Sequence, residues 1–155
     1  MSVKNLVAKQ YRDIVNRAAP SARAMQHPAE GWLVTVRRAL GMSGADLARR
    51  LGVTRARVSQ AEKAERVGGV TLNAMNEFAA AMGCRFVYAI VPEDGDVDSL
   101  IAAQAHRKAK ALVAKASTHM ALEQQSLSES ANAAEVERLA REMMRDMSAG
   151  FWSDK

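Results

Sequence analysis

Cysteine is almost missing from this sequence. Cys84 is the one thiol in 155 residues, so no intrachain disulfide can staple the fold, and a reducing, cytoplasmic setting is expected. Proline is nearly as scarce, at three residues. Aromatic residues make up 5% of the chain against 48% hydrophobic and 25% charged residues, the balance of a helix-rich globular protein and not of a disordered one. No apolar run approaches the roughly 18 residues that cross a bilayer, and the opening MSVKNLVAKQYRDIV is too polar for a signal peptide.

Most enzyme chemistry is missing too. His27, His106 and His119 are scattered, with no His/Cys/Asp/Glu set at metal-ligand spacing. Gly68-Gly69 lacks the Lys-Ser/Thr that would complete a phosphate loop. Ser128 and Ser130 have no neighbouring His–Asp arrangement. The expectation is a protein that is not an enzyme and carries no cofactor and no metal.

What is there is an uneven charge. Residues 1–30 hold five Lys/Arg against two acids, residues 31–92 nine against four, and residues 93–155 eight against eleven. A basic front invites a polyanion, whereas the acidic end implies a second surface of opposite character. The chain accordingly divides into three parts: an N-terminal helix and linker at 1–30, a central domain at 31–92, and a helical extension at 93–155 for partner binding or dimerisation.

In the first part, Leu6, Val7, Tyr11, Ile14, Val15 and Ala18 fall on one helical face over 3–18. Pro20 and Pro28 then bracket a linker or a single helical turn. Four short helices are expected in the centre, at 32–40, 44–51, 55–66 and 72–82. Gly41 and Gly52 end helices, Ser43, Thr54 and Thr71 stand at N-cap positions, and Gly68-Gly69 and Gly83 interrupt the helical pattern after 66 and 82. Arg85-Phe86-Val87-Tyr88-Ala89-Ile90-Val91 reads as one β-strand stopped by Pro92. Such a strand needs a partner, for which the same strand in a second copy is a candidate. After the acidic loop 92–98 come a helix at 99–116, a shorter stretch at 118–127 and a helix at 131–148.

The stretch LARRLGVTRARVSQAEKAER (47–66) ties two helical patterns across Gly-Val-Thr, the helix-turn-helix arrangement. Ala48 is small where the helices cross, Gly52 turns the chain, and Leu47, Leu51, Val53 and Val58 supply a shared core. Thr54 caps the second helix, whose exposed N-terminal face can enter the DNA major groove. There Arg55, Ala56, Ser59 and Gln60 are placed to read base edges, Arg pairing with guanine and Gln with adenine. Ser43, Thr54, Arg57, Lys63 and Arg66 are placed for phosphates, which position without reading sequence. Glu62, a carboxylate that phosphate would repel, is assigned to the interior. A bundle that binds nothing is the competing reading. One such helix spans only a few base pairs, so a dimer on a two-fold, double-stranded operator is the expected working unit.

The fold class is therefore mainly all-α: a Xre/Cro-like helix-turn-helix bundle, one β-strand, and a C-terminal helical extension. Within the extension, Val136, Leu139, Ala140, Met143 and Met147 form a stripe ending in Phe151-Trp152. It reads either as a core face or, through Met143, Met147, Phe151 and Trp152, as a surface that docks a partner protein.

GWLVTVRRALGMSGADLARRLGVTRARVSQAEKAE, TLNAMNEFAAAMGCRFVYAIVP, STHMALEQQS and the closing FW resemble the mobile mystery protein A family over residues 4–152. The resemblance implies a DNA-binding protein encoded beside a Fic-domain protein, similar to a toxin–antitoxin pair in which this chain is antitoxin and autorepressor. Known inhibitors of Fic enzymes resemble Ser/Thr-x-x-x-Glu in the segment that blocks ATP. No Ser or Thr here has Glu four residues later, so that route of inhibition is not implied. The Thr118-His119-Met120 order also departs from the family's His-Thr-Met. A stand-alone phage-type or restriction-controller regulator is the alternative, and it leaves the extension without a role.

Overall fold

The computed structural model describes residues 2–123 and 128–153. Among them are seven helices and no strand: α1 (Val3–Ala24), α2 (Trp32–Ala39), α3 (Gly44–Leu51), α4 (Arg55–Arg66), α5 (Leu72–Ala81), α6 (Val97–Leu122) and α7 (Glu129–Arg145). The chain forms two compact units, Ser21–Ala89 on one hand and Met1–Pro20 with Ile90–Lys155 on the other.

Helices α2–α5 of the first unit start and stop where local chemistry requires. Ser43 Oγ accepts from the Asp46 N–H at 3.0 Å, and Asp46 Oδ2 accepts from the Ser43 N–H at 2.9 Å, a reciprocal capping box. Thr54 and Thr71 cap α4 and α5 by accepting from the Arg57 and Ala74 N–H groups. Leu33, Leu47, Ala48, Val58, Ala61, Met75, Phe78 and Met82 are buried together as the core. Leu51 packs against this core, whereas Val53, expected inside it, is exposed in the turn.

The second unit is built mainly on α6 and α7. Ala105, Ala109 and Ala140 are fully buried, with Ile101 and Phe151 alongside and Val136, Leu139, Met143 and Met144 partly buried around them. Gln104 is buried and donates through Nε2 to the Phe151 carbonyl at 2.7 Å, while Lys108 reaches the Gly150 carbonyl. The C-terminal Phe is thereby locked down by two polar groups of α6. His106, half-buried, meets Glu137 at 2.9 Å. On α1, Asn16 Oδ1 accepts from the Val97 N–H at 2.9 Å, and Arg12 lies 3.5 Å from Asp98.

Three expectations require correction. The segment 85–91 forms no strand, because among the described residues no second extended segment offers a ladder. Pro20 does not end α1, which continues to Ala24; an interior proline costs about 3 kcal/mol and can be outweighed by the helix around it. The stretch 99–116 and the first residues of the stretch 118–127 are one helix, α6, started by Asp96, whose carboxylate accepts from the Ser99 N–H. Residues 124–127 of the second stretch lie outside the described residues. The apolar face of α1 is largely open, with Leu6, Val7, Tyr11 and Ile14 exposed and Val15 and Ala18 only partly covered.

Candidate nucleic-acid interface

The turn between α3 and α4 is set by Gly52, whose φ of 69° lies in the left-handed region. The N–H groups of Gly52 and Val53 close back on the carbonyls of Arg49 and Ala48 at 3.3 and 3.0 Å, satisfying the end of α3. The chain then enters α4 at once through the Thr54 cap. Val58 and Ala61 on one face of α4 are buried, and Glu62 and Glu65 on the same side are partly buried. The opposite side carries Arg55, Ala56, Ser59, Gln60 and Lys63, all exposed.

Two carboxylates on the inner side fix the orientation of α4. Glu62 Oε1 receives Arg37 Nε at 2.6 Å, with the two side chains only 12% and 14% exposed, and Arg37 Nη1 also donates to the Met42 carbonyl. A partly buried pair that also ties Arg37 to a backbone carbonyl is costly to break, and Glu62 takes the internal role expected of it. Glu65 accepts from the Trp32 and Leu33 N–H groups at 2.6 and 3.0 Å. It thus caps α2 from the last turn of α4. Gly31, with φ 89°, makes room: a Cβ there would stand 2.7 Å from Glu65 Oε2. Sequence reasoning missed Glu65. The available cue was that α2 begins after a glycine with no capping side chain of its own, so its first N–H groups needed an acceptor from elsewhere.

The cations of α2–α4 fall into two sets. Arg37 is held by Glu62, Arg38 by Glu30, Arg49 by Asp46, and Arg50 by the Ala81 carbonyl. Among the described residues, no ion pair or hydrogen bond engages the side chains of Arg55, Arg57, Lys63 or Arg66, all of α4 and all exposed. Arg55 Cγ and Nε lie 3.9 Å from where a Cβ on Gly44 would stand, so this side chain lies over the start of α3. The unpaired charge of α4 is what a polyanion would meet.

Ser43 is a different case. Its hydroxyl donates to Asp46 Oδ2 at 2.6 Å while accepting from the Asp46 N–H. The hydrogen bonds from Ser43, assisted by Arg49, hold the Asp46 carboxyl below its ordinary value. With its proton committed to an anion, Ser43 has no donor left for a phosphate. Thr54 uses only an acceptor site of its hydroxyl in its cap and keeps its proton.

Of the residues expected on a partner, Phe151 is buried in the α6–α7 core and Met143 is partly buried against it. These two supply packing. Met147 and Trp152 are exposed. Among the described residues no group of three or more His, Cys, Asp or Glu side chains is assembled to hold a metal, and no helix is long and apolar enough to cross a membrane.

Residues 33–88 match the helix-turn-helix family model, the span that contains α2–α5 and the turn at Gly52. They form a helix-turn-helix domain of the Xre/Cro type, which places the protein among DNA-binding transcription regulators. No curated protein and no solved structure matches the chain.

Proposed function

We propose that this protein is a sequence-specific repressor that works as a dimer on a two-fold DNA operator. The observation that carries the reading is the division of the cations, with those of α4 left unpaired beside exposed Ser59 and Gln60. Arg55, Ala56, Ser59 and Gln60 are assigned to base edges, and Thr54, Arg57, Lys63 and Arg66 to phosphates. Gel shifts test this directly. Arg55→Ala should reduce preference for operator over random DNA by the roughly 1–3 kcal/mol that a bidentate base contact contributes. Arg57→Ala should weaken both DNAs alike and lower the salt dependence by about one counterion. Unchanged operator preference in Arg55→Ala would remove that residue from the reading set.

The same reading extends to the operon. The chain serves as antitoxin and autoregulator of a Fic-type toxin–antitoxin pair, a role supported by the family resemblance, by the acidic extension and by exposed Met147 and Trp152. Growth rescue tests it: the adjacent gene is expressed from a promoter that the protein cannot repress, with either the intact chain or Arg55→Ala/Gln60→Ala supplied. Rescue by both versions is the expected result. Toxicity relieved by neither version would leave a stand-alone transcriptional regulator.

A further inference from the structure

The core of the first unit is not closed everywhere. A cavity of about 300 Å³ lies between α2, α5 and residues 82–87. Leu33, Met75 and Met82, buried members of the helix-turn-helix core, form its inner side, and Trp32, Val36 and Phe86 stand partly buried around it. Protein interiors leave few voids larger than a water molecule. An apolar, partly aromatic hollow of this size has instead the dimensions and the lining of a small-molecule site.

Two lining residues differ in kind. Cys84, exposed, is the one thiol of the chain. Arg85, also exposed, is the only charged residue among those that line the cavity. Among the described residues, no ion pair or hydrogen bond engages its side chain, and no carboxylate lines the cavity to oppose it. An apolar hollow with one unanswered positive charge selects a molecule with an apolar body and one negative head.

We infer that this cavity is an effector site for a small amphipathic anion, of the class of medium-chain carboxylates, and that filling it weakens DNA binding. The route is short. Trp32 begins α2, and its N–H and that of Leu33 are held by the Glu65 carboxylate, on the last turn of α4, at 2.6 and 3.0 Å. A body wedged against Trp32 and Leu33 bears on the same two residues that anchor α4. Shifting the start of α2 draws Glu65 with it, and so re-aims the helix that carries Arg55 and Gln60. This regulatory half rests on the repressor reading; occupancy of the cavity does not.

The test uses the full-length protein with decanoate and decanol at neutral pH. Decanoate should slow alkylation of Cys84 by iodoacetamide in step with its binding measured by calorimetry. From hexanoate to decanoate, affinity should rise by up to about fourfold per added methylene, as apolar burial requires. Arg85→Gln should weaken decanoate by about fivefold, as loss of an exposed charge pair does. Decanol should bind Arg85→Gln and the wild type equally, which shows the cavity intact. Val87→Asp, at an exposed lining position, should abolish protection by decanoate. In gel shifts decanoate should weaken operator binding by about fivefold or more, and operator DNA should weaken decanoate binding by the same factor.

Binding without protection of Cys84 would place decanoate elsewhere and overturn the site. Decanol bound as tightly as decanoate, or Arg85→Gln without effect, would overturn the anionic class. Protection of Cys84 that grows with protein concentration alone would give the cavity to a second copy instead. Decanoate held in the cavity with operator affinity unchanged would strike out the effector role and leave the repressor standing. A cavity that takes decanoate in a protein with no operator preference would do the reverse.

Discussion

In the helix-turn-helix unit the core is made of large side chains, Leu33, Leu47, Val58, Met75 and Phe78, and its helices are further tied by Arg37–Glu62 and by the Glu65 cap. Between α6 and α7 the deepest residues are alanines, Ala105, Ala109 and Ala140. Fully burying a Leu or Phe side chain stabilises by about 1.5–3 kcal/mol, against roughly 0.8 kcal/mol per buried methylene-sized group. The first unit is held mainly by large side chains and two polar ties, the second by alanine contacts between α6 and α7 with Phe151 tied to Gln104. A domain that must aim a helix needs the former.

Arg37→Ala breaks the comparison most forcefully. It leaves the partly buried Glu62 without its partner and should cost up to about 3 kcal/mol in denaturant unfolding of the first unit. Arg38→Ala removes the exposed pair with Glu30 and should cost no more than about 1 kcal/mol. If the two were equal, the Glu62 tie would not be what orients α4.

In the second unit the reverse substitution is diagnostic. Ala109→Leu forces bulk into a contact that fits a methyl group and should destabilise by about 1–3 kcal/mol. Hydrogen exchange should rise along α6 and α7 and stay unchanged along α3 and α4. The smallest effect concerns acid. Hydrogen bonds from Ser43 lower the Asp46 carboxyl in the folded state. Its stabilisation is therefore complete above the ordinary carboxylate range near 4 and is lost as pH falls through the lowered value. Asp46→Asn should flatten the acid limb of a stability-versus-pH profile and leave neutral DNA affinity unchanged.

What could be read from the sequence was what neighbouring residues decide among themselves. Ser43, Thr54 and Thr71 cap within three residues, and Gly52 turns where a side chain would be strained, so α2–α5 and the exposed face of α4 were legible. Tertiary ties were not. Glu65 acts across 32 and 33 residues, and nothing beside it in the chain announces that role. The segment 85–91 has the composition of a strand, but pairing is a property of two segments, and the described residues supply only one. Pro20 was read as a boundary because local rules disfavour it, and the rest of α1 overrides them. The stripe that ends in Phe151 reads from sequence as core or as docking surface alike, and the packing of Phe151 against α6 decides for core.

Trp32 and Trp152 are the two tryptophans of the chain, and one falls in each unit. Trp32 starts α2 with its indole hydrogen-bonded to His27 at 3.2 Å, whereas Trp152 stacks edge-on against Phe151. The molecule therefore carries an optical label in each half. Emission from a Trp152→Phe chain reports the reading head alone, and emission from a Trp32→Phe chain reports the extension alone. Titrated with operator or with a partner protein, the pair of single-tryptophan proteins would show which half responds first and whether the other half moves with it.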